Sequence, residues 1–161
     1  MLVHPPLERV SVVSLQQFPA ECKNIPVRAS ETRPGVAWAR GLWPLQWIEV
    51  GRDWFALTAV EQQAALLHEV GHCRGHHLIA RVLLLPFCWL ERVQRLALAQ
   101  ELAADAFAVR QGHGIGLLHL IFRYQRVPVD PIARLLCPSA QERAQHVLQL
   151  LQEIRDEKLA A

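Results

Sequence analysis

The apolar and polar positions divide the chain into a strand-rich N-terminal part and a helical remainder. Between Ile25 and Trp54, Val, Ile and Trp alternate with Arg, Glu and Gln, and Pro and Gly interrupt the alternation at short intervals. An alternation with a period of two, bounded by turn residues, is typical of strands. We therefore expect a small antiparallel sheet built from parts of Pro26–Ser30, Val36–Arg40 and Gln46–Val50.

From Thr58 onward the apolar residues recur at helical spacing. Thr58–Glu61 is a capping box, in which the first and last side chains each bond the backbone amide of the other residue. The helix that it starts is expected to end near Gly75. A second capping box, Ser139–Glu142, precedes a final amphipathic helix that extends to about Lys158. Further helices are expected over Leu7–Phe18, Leu78–Leu85, Phe87–Arg110, Gly116–Tyr124 and Ile132–Leu136.

Composition and length favour a single domain of the α+β class. The chain has 161 residues, of which 52% are hydrophobic, and it contains no repeat or linker, so we expect one domain over residues 1–161. It should be mainly helical with the small sheet at its N-terminal end. Four of the five tryptophans lie in the strand region, and we expect them to pack in the core or on the sheet: Trp38, Trp43, Trp47 and Trp54.

Charge, cysteines and hydropathy bear on partners and compartment. The formal net charge is only +2, and no basic run with interleaved aromatic residues occurs, so we expect no nucleic-acid partner. The four cysteines have no C-x-x-C spacing, which favours a reducing compartment. The longest apolar run, Leu78–Leu90, contains Arg81 and Pro86 and is shorter than the ~20 residues that a membrane span requires. We expect a cytoplasmic protein without membrane contact, and we make no prediction of its oligomeric state.

The segment from His68 to His72 reads HEVGH, which is the pattern H-E-x-x-H. On a helix, residues four apart lie on one face, so both imidazoles can bind a single metal ion. Glu69 lies beside them, where it can take a proton from a water that the metal activates. Zinc would lower the pKa of that water, and Glu69 would deliver the proton to the leaving nitrogen of a cleaved amide.

A catalytic zinc ion normally has a third protein ligand, and a downstream pair of carboxylates can supply it. Glu101 and Asp105 lie four residues apart in ELAADAFA, among small and apolar residues. One carboxylate can bind the metal, while the other can accept the N–H of a ligating histidine and fix its tautomer.

The motifs HEVGH, ELAADAFA and CPSAQER together resemble the gluzincin metallopeptidases of the HtpX and CAAX prenyl protease type. The resemblance implies a zincin-like fold and a zinc-dependent endopeptidase that acts on proteins or peptides. It assigns zinc binding to His68, His72 and Glu101, the general base to Glu69, and support of a ligand histidine to Asp105.

The resemblance is incomplete at the C-terminal motif, which in the family is H-P-S-x-x-x-R. Pro138, Ser139 and Arg143 match this motif, and Arg143 is thereby expected to help stabilise the transition state, but Cys137 replaces the histidine. A thiol is a weak donor, so either His119 or His146 compensates, or Arg143 acts alone, or the enzyme is slow. In gluzincins an edge strand also binds the extended substrate, and here that role is expected of Trp47–Gly51.

Other interpretations of the same residues stay open. A regulatory metallopeptidase of the ImmA/IrrE type, which cleaves a repressor, also combines HELGH with a downstream E-x-x-A-x-x-F-A segment. A zinc-binding structural or interaction protein is a second alternative, with Cys137 as the mark of lost catalysis. Arg143 could instead be a surface partner of Glu142 or Glu153. His77, His113 and His119 are expected at the surface or in loops. His76 lies one turn beyond His72 on the same face, but a metal ion that already has three protein ligands has no vacancy for it.

Overall fold

The computed structural model describes residues 11–12, 20–22, 24–125 and 136–160. The N-terminal part forms four strands: β1 (Ser11–Val12), β2 (Val27–Ala29), β3 (Ala37–Leu42) and β4 (Leu45–Val50). Their order in the sheet is β1-β2-β4-β3. The three predicted strand segments are therefore confirmed. Ser11 and Val12 lie in a strand, so the helix predicted over Leu7–Phe18 is wrong at these two residues, and the rest of that range lies outside the described part.

The sheet is mixed rather than antiparallel, which corrects the sequence prediction. β1 pairs with β2 and β3 with β4 in antiparallel fashion, but β2 runs parallel to β4. The β3–β4 hairpin places β4 against β2, where Ile48 and Val50 are fully buried. Alternation along a strand determines which face is buried, but it contains no information about which strand lies alongside.

In the described part of the chain, five α-helices follow the sheet. They are α1 (Ala59–Arg74), α2 (His77–Leu84), α3 (Glu91–Ala108), α4 (Gly114–Tyr124) and α5 (Ala140–Ala160). The α+β class and both capping boxes are confirmed: Thr58 and Glu61 cap α1, and Ser139 and Glu142 cap α5. Most of the helix predicted over Ile132–Leu136 lies outside the described residues.

The junctions around α3 differ from the prediction. α3 begins at Glu91 rather than near Phe87, because Leu85–Phe87 forms a 3₁₀ turn around Pro86. At its other end the helical path does not stop after Arg110, where the prediction ended it. Val109–His113 forms a π-helical turn that leads directly into α4. Gly112 has φ 89°, a left-handed conformation that glycine adopts without steric cost, so the glycine bends the helical path instead of ending it.

Helix α1 lies at the centre of the fold. Leu66, Leu67 and Val70 are almost completely buried, and α1 packs against β3 and β4, α3 and α4. Gly71 faces Ala104 of α3, and a Cβ atom on Gly71 would come within 2.9 Å of the Ala104 Cα atom. The two helices can approach closely because neither position carries a large side chain.

The tryptophan prediction is confirmed for Trp54, which is buried, but it is wrong for Trp43. Trp43 is 64% exposed because it lies in the turn between β3 and β4. Trp38 and Trp47 are half-buried, and an arginine guanidinium group covers each ring. None of the helices that the structure describes has the length and hydrophobicity to traverse a lipid bilayer.

Candidate metal site

Two buried imidazoles face each other on α1. His68 and His72 are 8% and 5% exposed, and their Nε2 atoms lie 3.1 Å apart. Residues four apart on a helix lie on one face, as the sequence pattern required. The capping box at the start of α1 and the burial of its central residues hold this face in place.

Helix α3 brings Glu101 to the same point. Its Oε2 atom lies 3.4 Å from His68 Nε2, and its Oε1 atom lies 3.4 Å from His72 Nε2. The three side chains are buried and can together hold one metal ion. The close contact between Gly71 and Ala104 permits this convergence, because it sets the distance between the helices next to His72 and about one turn from His68 and Glu101.

The distances between neighbouring ligand atoms are close to those around a tetrahedral zinc ion. Two ligand atoms at about 2.0–2.1 Å from such an ion lie roughly 3.3 Å apart. The two Nε2 atoms lie 3.1 Å apart, and each lies 3.4 Å from one Glu101 oxygen, Oε2 for His68 and Oε1 for His72. Two imidazole nitrogens with one carboxylate oxygen are also a donor set that zinc accepts at catalytic sites.

Asp105 and Arg143 extend the site behind His68. The Nδ1–H group of His68 donates to Asp105 Oδ1 at 2.8 Å, which leaves Nε2 for a metal. Asp105 is completely buried and accepts two bonds from Arg143, one from Nε at 2.8 Å and one from Nη2 at 2.6 Å. Arg143 thus forms its ion pair with the buried Asp105. The alternative interpretation, in which Arg143 pairs at the surface with Glu142 or Glu153, expected a different partner.

The two imidazoles have opposite pKa shifts. Burial lowers the pKa of His72 to about 4. Burial acts on His68 in the same direction, but the hydrogen bonds to Asp105 and Glu101 raise its pKa to about 10. The opposite shifts follow from the different partners of the two rings. A metal ion would bind Nε2 of both rings, so binding requires that neither of these nitrogens carries a proton.

His77 supports His72, which the sequence prediction missed. The Nδ1 atoms of these residues lie 2.9 Å apart, so His72 Nδ1–H can donate to His77 and leave its own Nε2 for a metal. A Cβ atom on Gly75 would lie 2.2 Å from His77 Nε2, so only glycine at position 75 leaves room for the ring. A histidine five residues after His72, with a glycine between them, is the signal that could have revealed this contact.

Glu69 lies next to the ligand group, at the edge of the sheet. Its Oε2 atom accepts the backbone N–H of Ala39 in β3 at 2.5 Å. Burial raises the pKa of the Glu69 carboxyl group to about 7, although His68 and the Ala39 N–H act to lower it. A carboxyl group with a pKa near neutrality can both accept and return a proton.

Arg81 of α2 contacts the third ligand. Its Nη2 atom donates to Glu101 Oε1 at 2.6 Å, and its Nε atom donates to Gln100 Oε1 at 3.2 Å. Cys137 is close enough to Glu101 and Arg81 for their charges to act on its thiol, but burial is the main cause that raises its pKa.

The remaining candidates lie elsewhere. His146 Nε2 donates to the Leu102 carbonyl oxygen at 3.2 Å, and His119 is exposed on α4, with its charge acting on Glu61. His76 is exposed next to Trp43. Cys73 is buried in the core.

The assignment of the substrate-binding edge to Trp47–Gly51 is wrong. This segment belongs to β4, which pairs with β2 on one side and β3 on the other. The edge strand next to α1 is β3, because the hairpin places it outside β4. The contact between Ala39 and Glu69 also lies on this edge.

No protein-family model, curated protein or solved structure matches this chain.

Proposed function

We propose that this protein is a zinc-dependent endopeptidase of the gluzincin type. The observation that carries the proposal is the buried His68–His72–Glu101 group with the Glu69 carboxyl group beside it. A metal site that is only structural needs no carboxyl group of raised pKa next to its ligands. The motifs in the sequence that resemble those of gluzincins agree with this proposal.

Each residue of the site has a distinct role in the proposed reaction. His68, His72 and Glu101 bind zinc, which supplies Lewis acidity and lowers the pKa of water. Glu69 removes a proton from the attacking water and delivers it to the nitrogen of the leaving amine. The pKa of about 7 suits both steps, since the group exchanges a proton readily near neutral pH.

Arg143 acts through Asp105 in this scheme. Two of its nitrogens are bonded to Asp105, which in turn orients the His68 ring. The sequence resemblance gives Arg143 a direct role at the transition state. The contacts favour a positioning role, because Nε and Nη2 of the guanidinium group are already bonded to the Asp105 carboxylate.

We propose that the substrate backbone pairs with β3. The N–H of Ala39 points away from β4 towards Glu69, and alternate residues of an antiparallel strand direct their backbone groups to the same side. Ala37 and Gly41 therefore present their backbone groups at the same edge. An extended peptide that pairs there would lie alongside the ligand group, since β3 packs against α1.

Metal analysis combined with peptide cleavage tests the proposal. Wild type, Glu69→Gln and the control Glu153→Gln, an exposed change on α5, should each bind one equivalent of zinc. Wild type and Glu153→Gln should cleave a broad peptide library or casein, and Glu69→Gln should be at least ~100-fold slower. Zinc binding without cleavage by wild type would instead support a structural or interaction protein. Cleavage restricted to one repressor-like protein would support the regulatory alternative.

A further inference from the structure

Arg81 occupies an oxygen atom that a metal ion could also use. Its Nη2 atom donates to Glu101 Oε1, the same atom that lies 3.4 Å from His72 Nε2. Glu101 Oε2, on the other side of the carboxylate, faces His68 Nε2. The carboxylate therefore has one oxygen bonded to a guanidinium group and the other directed only at the ligand cluster.

This contact differs in kind from those made by Asp105 and His77. Those residues bond the Nδ1 atoms of the ligand histidines, far from the metal position, and favour the tautomers that bind metal. Arg81 instead bonds a ligand atom itself and brings a positive charge close to a cation site. Both effects oppose metal binding, so metal affinity alone does not explain an arginine at this position.

We propose that Arg81 is a positioning residue that restricts Glu101 to one metal-binding oxygen, Oε2. The inference rests on the proposed metal-binding function of the site. Carboxylates bind metal ions with either one or two oxygens. If Glu101 used only Oε2, its one oxygen and the two imidazoles would leave a coordination position open, which a catalytic zinc requires. If both oxygens bound, an ion that also held a water would have five ligands instead of four.

The surroundings of Arg81 suit this role. Gln100 accepts from Nε and so fixes the plane of the guanidinium group, which directs Nη2 at Glu101. α2 contains no buried residue, but Arg81 joins it to two consecutive residues of α3. A guanidinium group with bonds to both neighbours holds its orientation better than a single flexible ammonium group.

The Co²⁺ form of the full chain provides the test, because the visible absorption of Co²⁺ becomes weaker as its coordination number rises above four. The variants are Arg81→Met, Arg81→Lys and the control Arg95→Met. Arg95 is a suitable control because it is an exposed arginine that also bonds a glutamate, Glu91, away from the site. Chelator competition gives the affinity for Co²⁺ and for Zn²⁺ in parallel.

In Arg81→Met we expect several-fold weaker absorption and about tenfold tighter metal binding, since Glu101 would bind through both oxygens without a nearby positive charge. The absorption and affinity of Arg81→Lys should lie closer to those of wild type, and those of Arg95→Met should equal them.

An unchanged spectrum in Arg81→Met would overturn the proposal. Weaker metal binding in this variant, as expected if Arg81 only supports the structure, would overturn it as well. If Arg81→Met does not fold, Gln100→Met tests the same point: its absorption should weaken, and an unchanged spectrum counts against the proposal. Failure of wild type to bind Co²⁺ or Zn²⁺ would instead refute the proposed metal site itself.

Discussion

The two histidines of the candidate metal site are oriented by partners of different charge. His68 donates to the buried carboxylate of Asp105, whereas His72 contacts the imidazole of His77. Burial lowers the pKa of His77 to about 4, so this ring is neutral near pH 7 and can accept a hydrogen bond. The difference makes one side of the site depend on an ion pair and the other on a neutral contact.

His77→Leu should lower zinc affinity by about 10–100-fold, because His72 would lose the partner that fixes its tautomer. Competition with a chromophoric chelator measures the effect. His76→Asn is a matched control, since His76 is exposed and has φ 51°, a left-handed conformation that asparagine tolerates. Equal affinities of the two variants would contradict the role of His77.

Arg143→Met should lower the free energy of unfolding by about 3 kcal/mol, because it leaves the fully buried Asp105 without its cation. Urea denaturation at pH 7 measures this change. Arg155→Met, which removes an exposed partner of Asp156, should change it by less than about 1 kcal/mol. A loss in Arg143→Met as small as that in Arg155→Met would refute the structural importance of the Asp105 pair.

At the scale of elements, the site depends on how closely α1 and α3 approach. The ligands come from both helices, and Gly71 and Ala104 form the contact that sets the separation. α2 adds Arg81 and His77 from one side, although none of its residues is buried. α2 and α3 also border an apolar cavity of about 210 Å³, which Arg81 and Gln100 help to line.

Gly71→Ala tests whether the close contact with Ala104 or the helix propensity of residue 71 has the larger effect on stability. Propensity alone would stabilise the protein by up to ~1 kcal/mol, because alanine favours a helix more than glycine does. We expect the opposite sign, together with weaker zinc binding, because the new Cβ atom would push against the Ala104 backbone at 2.9 Å. Thermal denaturation and chelator competition measure both quantities. A more stable variant with unchanged affinity would show that the helices can move apart without cost.

The cap of α1 should make stability depend on pH. Burial acts to raise the pKa of Glu61, but its bonds to Thr58 and the charge of Arg123 lower it overall from its usual value of 4.5. A folded-state pKa below the unfolded value means that the stabilisation is present above pH ~4.5 and is lost as the pH falls through the lower folded value. Glu61→Gln should therefore lose stability at pH 7, and the difference from wild type should shrink as the pH falls from about 4.5 through the lower folded-state pKa. A difference that is constant over this range would exclude the ionised carboxylate as its cause.

For the whole molecule, metal binding should be linked to global stability. The ligands lie on α1 and α3, and their supporting residues lie on α2, α3 and α5, so the unfolded chain cannot reproduce the site. Zinc at about 100 times its Kd should stabilise the fold by about 2.7 kcal/mol. Calorimetry with zinc and with EDTA measures the shift in Tm. His72→Ala should abolish the shift, and a shift of the same size in this variant would place the metal elsewhere.

The local sequence predicted much of this arrangement because its signals act over a few residues. Two kinds of signal depend only on helix geometry. One is the capping box, at Thr58 and at Ser139. The other is the four-residue spacing, of His68 with His72 and of Glu101 with Asp105. The family resemblance added the expectation that the two pairs meet. The parallel pairing of β2 with β4 could not be predicted in this way, because the alternation of residues within a strand does not indicate which strand pairs with it.

The sequence by itself therefore determined most of the segments that form helices, which residues share a helix face, and which side chains have the chemistry to bind a metal. Only the tertiary structure decided that β3 is the strand beside Glu69, that His77 turns back onto His72, and that Arg81 reaches Glu101. The physical reason is that helix periodicity and capping are properties of adjacent residues. Contacts between elements depend instead on the distances and angles at which whole helices and strands pack, such as the approach of α1 to α3 at Gly71.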